Sequence, residues 1–98
     1  MKLDHALATL KNAEVYLRTK GVMHAGVFGS VARGDARPDS DVDILVKFDP
    51  AARVSIYDYV GVQKDIASLF KVKVDVIDRD GLKPHLREPV ANDAVYAF

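Results

Sequence analysis

The sequence predicts a small mixed α/β domain. Three observations carry that expectation. Helix-period and strand-like segments alternate along the chain, the strand-like runs are short and rich in β-branched residues, and turn residues bound most of them. The architecture expected is a sheet of three or four strands flanked by helices. At 98 residues, 49% of them hydrophobic, the chain fits one domain over residues 1–98 with one core. No repeat, low-complexity segment or linker divides it.

Residues 3–20 read as the first helix, because Leu3, Ala6, Leu7, Leu10, Ala13 and Leu17 make one apolar stripe at helical spacing. Gly21 is its expected stop. Val22 to Phe28 is a short apolar run between glycines and reads as a strand. Residues 29–35 are turn-like and then suit a short helix; residues 37–40, with Pro38, are loop chemistry. Residues 41–48 read as a second strand, with Val42, Ile44 and Val46 on one face and Asp41, Asp43, Leu45 and Lys47 on the other. Residues 54–70 give the longest helical stripe, through Ile56, Tyr59, Val60, Ile66, Leu69 and Phe70. Residues 72–77 are β-branched and read as a third strand. Residues 82–87 suit one or two helical turns that Pro89 interrupts, and residues 94–98 suit an edge strand.

Composition excludes several function classes. Lys and Arg total 14, as do Asp and Glu, so the zero formal charge argues against attachment to nucleic acid by bulk electrostatics. With no cysteine, disulfides, thiol chemistry and Cys-ligated metals are excluded. His5, His24 and His85 have no zinc spacing. There is no signal-peptide run and no stretch of membrane-span length, so the cytoplasm is the expected compartment.

The chemistry lies in three features. Gly29 and Ser30 follow the first strand, Asp41 and Asp43 sit on the second, and Asp75 stands among apolar neighbours on the third. Residues i and i+2 of a strand share a face, so Asp41 and Asp43 project together with Cα atoms ~6.5 Å apart. Their carboxylates would repel by ~2.5 kcal/mol at an effective dielectric of 20. A divalent cation turns that repulsion into coordination, and Mg²⁺ prefers such oxygens while keeping positions for water and phosphate. If the third strand lies beside the second, Asp75 adds a third carboxylate, the number a two-metal site needs. Gly29 lets backbone approach a ligand, and Ser30 can cap the following helix or bond a phosphate. Arg33, one turn along, could add a charged contact. It also suits a surface pair with Asp35 or Asp39, worth ~0–1 kcal/mol. Tyr57 and Tyr59 cannot share one helix face, so at least one is expected to be exposed.

Gly29-Ser30, a ten-residue spacer and Asp41-x-Asp43 resemble the signature of the DNA polymerase beta-like nucleotidyltransferase superfamily. The fuller stretches, FGSVARG from Phe28 to Gly34 and SDVDILV from Ser40 to Val46, resemble the minimal nucleotidyltransferases more narrowly. These are antitoxins paired with HEPN-domain ribonuclease toxins in type VII toxin–antitoxin pairs. The resemblance implies Mg²⁺-dependent transfer of AMP from ATP to a tyrosine hydroxyl of the toxin, with release of pyrophosphate. It implies that Asp41, Asp43 and Asp75 are catalytic and hold two ions, Asp75 also helping to activate the attacking hydroxyl. It further implies that Gly29 and Ser30 hold the triphosphate. Relatives with RNA or small-molecule acceptors use further domains, and none is expected within these residues, so the acceptor would be a protein presenting itself. The alternatives are an antitoxin that neutralises by binding alone, or transfer to a small molecule or RNA end.

Overall fold

The computed structural model describes residues 1–98. Nine regular elements follow one another: α1 (Leu3–Asn12), α2 (Glu14–Thr19), β1 (Val22–Phe28), α3 (Gly29–Arg33), β2 (Val42–Phe48), α4 (Ile56–Ser68), β3 (Val74–Asp78), α5 (Pro84–Asp93) and β4 (Val95–Tyr96). Short 3₁₀ turns at Pro50–Ala52 and Arg79–Gly81 follow β2 and β3. The strands form one mixed sheet in the order β3-β2-β1-β4. β1 pairs antiparallel with both β2 and β4, while β2 and β3 are parallel. A parallel pair needs a long crossover, and α4 supplies it.

One sheet face makes the core. Val27, Val42, Ile44, Val46 and Val76 pack with Ala6, Leu10 and Leu17 from α1 and α2, and with Val62 and Ile66 from α4. α4 starts on a capping box: Ser55 Oγ accepts the Asp58 N–H, and the Asp58 carboxylate accepts the Ser55 N–H. Two polar side chains tie α4 to β3. Tyr59 donates its hydroxyl to the Val76 carbonyl at 3.2 Å and accepts the Asp78 N–H, and Gln63 donates to the same carbonyl at 3.1 Å. These bonds hold the edge strand in place against β2.

The elements differ from the expected ones where local geometry overrides spacing. Residues 3–20 form two helices, because Ala13 leaves helical geometry at φ −96° and ψ 4°. Its N–H donates to Leu10 three residues back, a tightened turn. Leu10 and Leu17 are both fully buried, so the stripe crosses the kink without a trace in the pattern. In α4 the buried residues are Val62 and Ile66; Ile56, Val60 and Leu69 are exposed. The expected stripe there was too wide, since the helix touches the sheet along a narrow seam. Tyr57 is 85% exposed while Tyr59 is half-buried, as opposite helix faces require. β3 starts two residues later than expected, at Val74. Pro89 lies inside α5 and does not end it. Pro84 occupies the first turn, where no N–H is needed. α5 buries no residue, and His85, whose carbonyl Pro89 leaves without a donor, is exposed to water.

β4 crosses β1 closely at Gly26. A Cβ there would lie 2.7 Å from the Val95 carbonyl oxygen and 3.0 Å from Tyr96 Cα. Gly26→Ala should therefore destabilise the chain by ~1–3 kcal/mol. Hydrogen exchange should accelerate at the Ala97 amide, which donates to the Ala25 carbonyl at 2.8 Å. Wild-type exchange at that amide in the variant would show that β4 tolerates the side chain.

Candidate active site

The parallel register places Asp43 opposite Asp75. Neighbouring strands stand ~4.8 Å apart, so the two carboxylates leave the same sheet face side by side. Asp41, one residue before β2, shares that face by the two-residue alternation. The face is the one turned away from the core formed by Val42, Ile44 and Val46. Asp41 and Asp43 are half-buried, and Asp75, on the edge strand, is exposed. The sequence expectation that the third strand would bring Asp75 to the pair is met by the topology.

The antiparallel register does the same for the glycine turn. Phe28, last in β1, lies opposite Asp43, so α3 begins beside that carboxylate. Gly29 has φ 72°, and a Cβ there would overlap Asp43 Oδ2. Position 29 thus demands glycine twice, for its backbone region and for the space. Ser30 follows within α3. It does not cap that helix, contrary to the sequence expectation, because the helix starts directly at Gly29 with Phe28 as its cap residue. Its hydroxyl therefore stands in the first turn, next to backbone N–H groups that have no intrahelical acceptor.

Arg33 lies four residues after Gly29, on the same face of α3. Its Nη1 donates to Asp93 of α5 at 2.8 Å and its Nε to Asp35 at 3.3 Å. Of the expected surface partners Asp35 is used and Asp39 is not; the Asp93 contact, sixty positions away, has no sequence signal. Lys73, which sequence reasoning passed over, places its Nζ 4.0 Å from Asp41 Oδ2.

Burial raises the Asp43 carboxyl above the ordinary carboxylate range; the charges of Asp75 and then Asp41 raise it further, and Arg33 partly opposes them. No three Asp, Glu, His or Cys side chains converge on one point at metal-ligand distance. The carboxylates share an end of the sheet. As a donor set, three hard oxygens around a half-buried centre suit Mg²⁺. Binding would require the side chains to converge. A cleft of about 440 Å³, lined by Phe48, Arg53, Tyr59 and Asp78, opens at the opposite end of β2 and holds none of the three carboxylates. The three candidate residues thus lie outside that cleft. No helix is long and apolar enough to cross a membrane.

Residues 10–97 match the family model described as a nucleotidyltransferase domain. The protein adenylyltransferase MntA of Thermococcus cleftensis is 37% identical over 76 residues, covering 78% of this chain and 75% of that protein. A solved structure assigned as a minimal nucleotidyltransferase is 38% identical with a TM-score of 0.77, covering 97% of this chain and 95% of the other. A toxin–antitoxin crystal structure with AMP-PNP gives a TM-score of 0.70 over 90% of this chain and 72% of the other; at 22% identity it bears on the fold alone.

The raised Asp43 carboxyl has a consequence for stability. Its folded value lies above its unfolded one, so ionisation is less favourable in the fold. That penalty is absent below the unfolded value, near pH 4, and develops as pH rises through the folded value. Asp43→Asn should raise Tm at pH 7 without divalent ions, and the gain should vanish near pH 3.5. Thermal scans at both pH values check this; a destabilised variant at pH 7 would refute the crowding.

Proposed function

This chain belongs to the nucleotidyltransferase domain family, and from that premise we propose that it transfers AMP from ATP to a hydroxyl of a partner protein. The observation that carries the reading is the meeting of Gly29 with Asp43 at the end of the sheet where Asp75 stands opposite. A nucleotide's phosphates and its attacking group both need that place. The choice of AMP and of a protein acceptor rests on the likeness to MntA of Thermococcus cleftensis, a protein adenylyltransferase. The toxin partner is taken from the motif resemblance; the toxin–antitoxin complex shares the fold with this chain. A HEPN-type toxin with a tyrosine acceptor completes the proposal, as the motif resemblance implies.

The residues take these roles. Asp41, Asp43 and Asp75 would hold two Mg²⁺ ions, whose charge offsets that of the phosphates. Gly29 lets the phosphate tail approach the backbone at the start of α3, and the Ser30 hydroxyl donates to it. The acceptor oxygen bonds the α-phosphorus, the α–β bridging P–O bond breaks, and pyrophosphate leaves. The hydroxyl proton passes to a carboxylate, for which exposed Asp75 is best placed. Arg33 reaches the nucleotide only by releasing Asp35 or Asp93.

Co-expression with the adjacent open reading frame, followed by intact-mass spectrometry of the partner, tests the reading. The partner should gain one or more adenylyl units. Asp41→Asn with Asp43→Asn should lower modification by at least about 10³-fold. A partner that stays unmodified yet bound and neutralised would replace transfer with neutralisation by binding.

A further inference from the structure

We propose that Lys73 is a nucleotide-binding residue whose ammonium meets the phosphate tail of the donor at the rim of the carboxylate cluster. The inference rests on the nucleotide-transfer reading above. A triphosphate carries several negative charges, and this site already presents three carboxylates. Cations must therefore come from the chain as well as from any bound metal. Arg33 is the cation that sequence reasoning favours, but it lies between Asp35 and Asp93, and that trio carries a net negative charge. Such a group has little pull left for an anion.

Lys73 differs in placement and in freedom. The Val42 N–H donates to the Lys73 carbonyl at 3.0 Å, so the β2–β3 pairing extends to set Lys73 beside Asp41. Two residues before Asp75, it takes the same face. Its Nζ is 4.0 Å from Asp41 Oδ2, beyond hydrogen-bond distance, and its side chain is 77% exposed. A pair this open adds little to stability, so the fold gives little reason for a cation at this point. No other cation lies within ion-pair distance of Asp41, Asp43 or Asp75. A flexible ammonium held near the cluster but bound to nothing tightly can swing to the phosphates at small entropic cost.

Equilibrium titration of the full chain with ATP and Mg²⁺, at low and high salt, tests this. Lys73→Gln should weaken ATP binding by about three- to tenfold at low salt, and less at high salt. Adenosine, which lacks phosphates, should bind wild type and variant alike. Lys73→Arg should restore ATP affinity to within about twofold, and Lys71→Gln, an exposed lysine two residues earlier, should change it by no more than that. Thermal scans should place Lys73→Gln within about 1 °C of wild type, which excludes a merely structural loss. Unchanged ATP affinity in Lys73→Gln overturns the proposal while leaving the transfer reading intact. An equal loss in Lys71→Gln overturns it in favour of diffuse surface charge. A wild-type chain that binds no ATP overturns both.

Discussion

Asp43 and Asp75 stand opposite each other in a parallel register, and carboxylates so placed repel. Most of the chain works to hold them there. Pairing parallel strands demands a crossover, which is α4; its Tyr59 and Gln63 grip the Val76 carbonyl and keep β3 in register. A one-residue slip would send Asp75 to the core face and Val76 to the solvent. The packing of Val42, Ile44 and Val76 under the sheet resists that slip, so the apolar face fixes where the charged face puts its groups. Asp43 is the member that burial strains most, and the glycine at position 29 exists partly to give its oxygen room.

Much of this was legible in the residues. β1 has its expected limits, because glycines bracket a short, mostly apolar run. The Asp41–Asp43 alternation and the in-strand Asp75 announce a shared face, since period two survives any change in twist. What alternation cannot give is strand order, and the adjacency of β2 and β3 is a property of the whole sheet. The kink at Ala13 was hidden because a helix broken by one tightened turn keeps its core leucines in phase. Pro89 misled because a proline ends a helix only when its cost is unmatched, and an exposed helix lets water serve the freed carbonyl. The Arg33–Asp93 contact joins residues sixty positions apart, and local pattern carries no record of such a meeting.

The site is open where many enzymes enclose theirs. The cleft lined by Phe48 and Tyr59 belongs to the other end of β2, and α5, which reaches the candidate site through Asp93, buries nothing of its own. An exposed reactive face suits an acceptor that brings its own surface to exclude water. The second face of the sheet is mixed: Leu45 and Phe28 are buried on it while Asp41, Asp43 and Asp75 gather at one end, so a short chain keeps both a core and a candidate site.

β3 is an edge strand, with β2 on one side and no strand on the other. An edge of bare backbone donors and acceptors invites a second chain to add itself to the sheet. Val74, Val76 and Ile77 would make this one inviting. Asp75 and Asp78 interrupt that run with charge, and Lys73 stands just before it. Charge inside an edge strand discourages strand-to-strand pairing, so the carboxylate of Asp75 suits that second task as well. A substitution that neutralises it therefore bears on how the chain behaves at high concentration as well as on the proposed transfer.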